Sequence, residues 1–218
     1  MRKRLTNLRI PVGGNETARR EILILDGKIA EVVPPSEAPT GPRVDDAGEV
    51  VDMGGRLLLP GVIDGHVHFD DPGFTHRETF ETGTRAAAAG GVTCVVDMPC
   101  TSLPPVTSSA NLHSKLDVIR PKAHVDFMLW GGVSGNAMTR AGWKKDLGEL
   151  VEAGVASIKV YMLSGMDTFR DLSRDQLLQV LTEARRLGIP VGVHAEDREL
   201  VRTLEDDLRG RGRDSPLD

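Results

Sequence analysis

The strongest constraint on this chain is a repeat of short apolar, β-branched runs through its last three quarters. The runs fall at residues 62–66, 92–97, 125–130, 156–161 and 190–194, so that successive starts lie 30 to 34 residues apart. Between them lie segments with helical texture, such as 78–89 and 174–187. Strands that are apolar on both faces and alternate with helices are the mark of βα units around a parallel sheet. The helix signals agree. Ser173 followed by Gln176 reads as a capping box, and Gly188 stops that helix ahead of Pro190. Five such units predict an α/β fold of the TIM (β/α)8 type, in which functional residues gather at the C-terminal ends of the strands.

The first 56 residues have a different texture. Short β-type runs at 5–10, 21–25, 29–33 and 49–53 are broken by turn residues, and Asp26-Gly27-Lys28 reads as a hairpin turn. Four prolines within residues 34–42 exclude a helix or a ladder there. The expected organisation is therefore a small β-rich subdomain over 1–56 and a barrel domain over 57–218.

Composition removes several function classes. With 27 Lys and Arg against 32 Asp and Glu, the net charge is −5, and no basic stripe offers a footprint for nucleic acid. Hydrophobic residues at 39% and charged residues at 27% describe an ordinary globular chain, and no stretch approaches the apolar length of a membrane span. Met1-Arg2-Lys3-Arg4 resembles the start of a signal peptide, but residues 5–11 supply no apolar core behind it. The sequon Asn15-Glu16-Thr17 then carries no glycan. Two cysteines, Cys94 and Cys100, make neither a disulfide framework nor a metal knuckle, and a cytoplasmic location is expected.

Candidate chemistry sits where the barrel reading places it. Asp64-Gly65-His66-Val67-His68 ends the first barrel strand, and side chains two apart on a strand share a face. Asp64, His66 and His68 are thus expected to converge, with the two imidazoles suited to a single zinc ion. Lys159 stands within the apolar run 156–161, where an ammonium must snorkel, find a carboxylate or lose its charge. A neutral lysine amine near metals adds CO₂ to become a bridging carbamate. His194 ends the fifth strand. Alone, each has an ordinary reading as a strand or core residue; together they mark one end of strands one, four and five.

The run from Leu59-Pro60-Gly61-Val62-Ile63-Asp64-Gly65-His66-Val67-His68-Phe69 through Asp71-Pro72-Gly73, Glu81-Thr82-Gly83-Thr84-Arg85-Ala86-Ala87-Ala88-Ala89-Gly90-Gly91-Val92-Thr93 and Val96-Asp97-Met98-Pro99 resembles the cyclic amidohydrolases: allantoinase, dihydroorotase and hydantoinase. The resemblance implies two zinc ions at the mouth of a TIM barrel. His66 and His68 would bind the more buried one, carboxylated Lys159 would bridge, and His194 would bind the second. It also implies attack of a metal-bridging hydroxide on a ring amide, a small cyclic amide or ureide as substrate, and a homo-oligomer at full length. The family's strand-six histidine and its proton-shuttling strand-eight aspartate have no counterpart up to Asp218.

Asp70 stands where dihydroorotases carry a carboxylate-binding arginine, and Cys100 replaces the asparagine that follows their Asp-Met-Pro motif. An allantoinase-like activity is therefore expected first, with dihydroorotase or hydantoinase/dihydropyrimidinase as the alternative and a non-catalytic scaffold as the competing class. Asp70, Cys100 and His76, in the loop after strand one, are the candidate substrate contacts; His113, in a helix, and His124, before a strand, are not. Cys94 is expected in the core of strand two, and residues 199–214 as a solvated, charged helix. Gly90-Gly91 and Gly131-Gly132 read as loop glycines, since neither leads into a phosphate-binding motif. At this spacing a sixth strand would begin near 222, and an eight-stranded barrel needs about 250 residues. The expectation is the first five βα units of a barrel, inactive on their own.

Overall fold

The computed structural model describes residues 1–35, 48–213 and 215. Its contacts divide the chain into two units, Met1–Pro60 and Gly61–Asp218.

In the first unit, β1 (Arg2–Gly13), β2 (Glu16–Leu25), β3 (Lys28–Val33) and β4 (Glu49–Asp52) form one sheet in the order β3-β2-β1-β4. β1 pairs antiparallel with β2, β2 antiparallel with β3, and β4 lies parallel to β1. The β2–β3 turn is the expected one: Asp26 and Gly27 both take positive φ, 49° and 78°, the left-handed pair that an Asp-Gly hairpin turn supplies. The first two strands are longer than their apolar runs, because the β1–β2 ladder continues through the polar and charged residues of 2–4 and 16–20. Of the proline-rich segment, Pro34 and Pro35 are without regular structure, and 36–42 lies outside the described residues.

The second unit alternates strand and helix: β5 (Val62–Val67), α1 (Phe80–Ala89), β6 (Val92–Asp97), α2 (Ser109–Ile119), β7 (Asp126–Leu129), β8 (Gly131–Gly132), α3 (Gly135–Met138), α4 (Trp143–Glu152), β9 (Ile158–Tyr161), α5 (Arg174–Leu187), β10 (Val191–His194) and α6 (Arg198–Gly210). Every strand pair in it is parallel. The strands form two sheets, β5-β6-β7 and β8-β9-β10, and neither closes on itself.

The five expected strands are all present, but the third is divided at Trp130. Up to Leu129 it pairs with β6, and from Gly131 it pairs with β9. The Trp130 N–H donates to the Asp97 carbonyl at 2.9 Å and the Gly131 N–H to the Ser157 carbonyl at 2.9 Å, so the chain changes partner within one residue. Gly131 and Gly132 are accordingly strand residues, which corrects their reading as loop glycines. A Cβ on Gly132 would lie 2.6 Å from the Phe169 ring, and one on Gly131 3.1 Å from Ile158 Cδ1. The strand passes there only because it has no side chains.

Helix ends follow the local chemistry. Ser173 and Gln176 form the capping box of α5, and Gly188 closes it with φ of 70°. α1 has a second box, Thr79 with Thr82, which starts the helix at Phe80 and not at 78. α6 is capped by Asp197 and has no buried residue, in keeping with a solvated helix; residue 214 lies outside the described residues. His113 lies in α2 and His124 just ahead of β7, as expected, while Cys94 in β6 is half-buried. Leu129, Leu150, Ile158 and Val160, among others, form the buried core against which the helices pack.

Candidate metal centre

β5 carries its histidines at its C-terminal end. Its register with β6 slips between Asp64 and Val67, so that three residues of β5 advance against two of β6. A bulge of this kind re-aims side chains. Here the imidazoles face each other, His66 Nε2 lying 3.2 Å from His68 Nε2 with ring centroids 5.2 Å apart. Asp64 does not join them as the alternation predicted: its carboxylate accepts the His66 backbone N–H at 3.1 Å.

Lys159, on β9, is 5% exposed, between Ile158 and Val160, both 0% exposed. Among the described residues its ammonium has no carboxylate within ion-pair distance, and its recorded neighbour is the Tyr161 ring, 5.1 Å away. Tyr161, two residues along the same strand face, stacks obliquely on His194 with centroids 4.8 Å apart. His194 ends β10, and its Nε2 lies 2.5 Å from Glu196 Oε2.

The electrostatics join these groups into one site. Burial and then the Lys159 charge hold His66 below the ordinary imidazole pKa, with His194 adding to the effect and Asp64 opposing it. Burial and the neighbouring His66 do the same for His68. Burial also lowers Lys159, against smaller opposing contributions from Cys100 and Glu196. Two imidazoles biased toward the neutral form are ready ligands, since a metal binds the unprotonated ring. Among the described residues no three His, Cys, Asp or Glu side chains gather into a set that could hold a metal unaided. The donor chemistry nevertheless fits a divalent cation of the zinc type: two facing imidazole nitrogens within electrostatic reach of a buried amine that is ion-paired to no carboxylate among the described residues.

Of the substrate candidates, Asp70 is buried at 7% exposure, and its Oδ1 has no hydrogen-bond partner among the described residues. Cys100 is fully buried, with its Sγ 3.2 Å from Tyr161 Oη and 3.9 Å from His68 Nδ1. His76 is exposed in the loop between β5 and α1 and touches none of these groups. Sequence reasoning missed Tyr161 and Glu196, although the period of two from Lys159 and from His194 marks both. It also missed Trp130, whose indole N–H donates to the Gly65 carbonyl at 3.1 Å.

A profile described as the amidohydrolase family matches residues 57–213. An allantoinase of Streptomyces avermitilis is 43% identical over 196 residues, covering 89% of this chain and 41% of that protein. One of Rubrobacter xylanophilus is 41% identical, covering 88% and 39%. The chain thus spans about two fifths of the length of these curated relatives. Among solved structures, an L-hydantoinase (dihydropyrimidinase) from Arthrobacter aurescens superposes with a TM-score of 0.82 at 27% identity, over 96% of this chain and 44% of that one. A D-hydantoinase (dihydropyrimidinase) from Thermus sp. gives 0.74 at 26%, over 98% and 44%.

Proposed function

Because the chain belongs to the amidohydrolase family, we propose that it forms part of a metal-dependent hydrolase that opens a small cyclic amide, with a ureide of the allantoin type as substrate. The observation that carries this reading is the pair of imidazoles 3.2 Å apart within electrostatic reach of a buried lysine that has no carboxylate at ion-pair distance among the described residues. The identity to allantoinases supports the choice of ring, and the superposition on hydantoinases supports cyclic amide chemistry more broadly.

In this reading His66 and His68 would hold one zinc ion, His194 would take part in holding a second, and Lys159, as the carbamate its amine forms with CO₂, would supply anionic oxygen ligands. Bound there, the metal supplies Lewis-acid polarisation of the ring carbonyl and a nucleophile at neutral pH. The chain's own residues supply the rest. Neutral His66 and His68 keep the donor nitrogens free of protons. Glu196 holds the His194 ring in place through Nε2, and Tyr161 covers it from the β9 side. Asp70, buried where dihydroorotases carry an arginine, would disfavour a substrate carboxylate through its own acidic side chain.

The parallel strands β5 to β10 are read as the first βα units of a barrel, following a β-rich subdomain. A reducing, cytoplasmic setting suits the two free cysteines, and no helix among the described residues is long and apolar enough to cross a membrane.

The test is ring opening of allantoin, dihydroorotate and hydantoin by the zinc- and bicarbonate-supplied protein that carries this sequence. Allantoin should open fastest, and activity should vanish in His66→Ala. Faster opening of dihydroorotate would overturn the substrate assignment, and no ring opening of any of the three would overturn the activity.

A further inference from the structure

The break in the β5–β6 ladder leaves the segment that bears the histidines without regular strand pairing between Asp64 and Val67. Three other hydrogen bonds hold it. The Trp130 indole donates to the Gly65 carbonyl at 3.1 Å, the Met98 N–H to the Val67 carbonyl at 2.9 Å, and the Phe69 N–H to Asp97 Oδ1 at 2.8 Å. The last bond falls on the residue directly after His68. Asp97 presents its second oxygen, Oδ2, to Lys115 Nζ at 2.5 Å. This ion pair is closed off from water: the side chains of Lys115, on α2, and Asp97, at the end of β6, are 1% and 0% exposed. It lies outside the set of residues assigned to the metals or the substrate.

A buried ion pair is a weak source of stability, because desolvating both charges offsets most of their attraction. Its presence behind a metal site calls for another account. We propose that Asp97 and Lys115 are a positioning pair. The carboxyl group, oriented by Lys115 Nζ on its second oxygen, clamps the Phe69 N–H and so fixes His68 opposite His66 in the metal-binding arrangement. The inference rests on the metal reading above, and it assigns Asp97 no contact with metal or substrate. Groups behind the first ligands act this way in metal sites generally, by limiting the orientations a ligand ring explores.

The test compares two double variants in the full chain. Asp97→Asn with Lys115→Gln replaces the charges by a neutral hydrogen-bonded pair and keeps an acceptor for Phe69. Asp97→Leu with Lys115→Met replaces them by an apolar pair and removes that acceptor. Cobalt(II) affinity, read from visible absorbance, should stay within about threefold of wild type in the first and weaken by about 10- to 100-fold in the second. Amide hydrogen exchange at Phe69 should be unchanged in the first and accelerated in the second. Ile119→Val, in the buried face of α2, serves as a stability control and should lower the thermal midpoint while leaving both readouts alone.

Wild-type cobalt affinity and Phe69 protection in the apolar variant would overturn the proposal. If wild type takes up no cobalt, the metal reading fails separately, and the exchange at Phe69 alone decides the clamp. If the apolar variant does not fold, Asp97→Glu shifts the acceptor by one methylene while keeping the charges. Unchanged protection and affinity in that variant overturn the proposal equally.

Discussion

Lys159→Met should make the metal-free protein more stable while removing its capacity to bind metal. The side chain is 5% exposed, is flanked by fully buried Ile158 and Val160, and among the described residues has no carboxylate within ion-pair distance, Glu196 offsetting its charge only in part. Replacing even a buried ion pair by apolar residues of similar size is often neutral or stabilising, by up to about 1–4 kcal/mol, and a buried ammonium without an ion pair has less attraction to lose. The lower end applies here, because the ammonium keeps a contact with the Tyr161 ring, of a kind worth roughly 0.5–2 kcal/mol. A methionine sulfur recovers part of that contact. A net gain of about 1 kcal/mol corresponds to a rise of roughly 2–4 °C in Tm for a chain of this size. The pH dependence has a definite sign. Burial places the folded pKa of Lys159 below 10.5, so its penalty is complete below the folded pKa and fades as pH rises toward 10.5. The advantage of methionine should therefore be full at neutral pH and shrink in alkaline buffer. The assay is thermal unfolding by circular dichroism in chelator-treated, bicarbonate-free buffer across that range. A variant that loses more than about 1 kcal/mol, equivalent to roughly 2–4 °C, or whose difference from wild type ignores pH, would show that Lys159 is a packed structural residue.

Gly132→Ala places a Cβ 2.6 Å from the Phe169 ring, itself wedged beside buried Met98 and Cys100, and should cost about 1–3 kcal/mol in thermal or urea unfolding. Ser173→Ala removes the hydroxyl that accepts the Gln176 N–H at 3.2 Å and should cost about 1 kcal/mol in the same assay. His66 and His68 both have folded pKa values below 6.5, so the folded state binds fewer protons than the unfolded one. The stability they contribute is present above 6.5 and is lost as pH falls toward their folded values. The His66→Ala/His68→Ala double variant should flatten that part of the acid unfolding profile; an unchanged profile would refute the assignment.

The strands of the second unit are legible in the sequence because each is a continuous apolar, β-branched run between helical segments, although only β9 is buried along most of its length and β5 is largely exposed. α5 is legible to the residue, since its capping box and its left-handed glycine are local chemistry. The division at Trp130 is not legible: which neighbour a strand pairs with is decided by tertiary packing, and Gly131-Gly132 looks the same in a loop as beside Phe169. His66 and His68 are found by their spacing, but the bulge that turns Asp64 back onto the His66 N–H depends on β6. Lys115 and Asp97 meet only once α2 has packed on the sheet, 18 positions apart in sequence, and nothing local marks either. The burial of the Asp70 oxygen, without a hydrogen-bond partner among the described residues, is likewise a fact of packing.

The central claim is that the imidazoles of His66 and His68, 3.2 Å apart, are metal ligands. Elemental analysis of protein grown with zinc and bicarbonate tests it most directly, wild type against His66→Ala/His68→Ala with folding verified for both. Zinc should co-purify with the wild type and be absent from the double variant. A wild type free of metal, or a double variant that retains as much zinc, would contradict the claim.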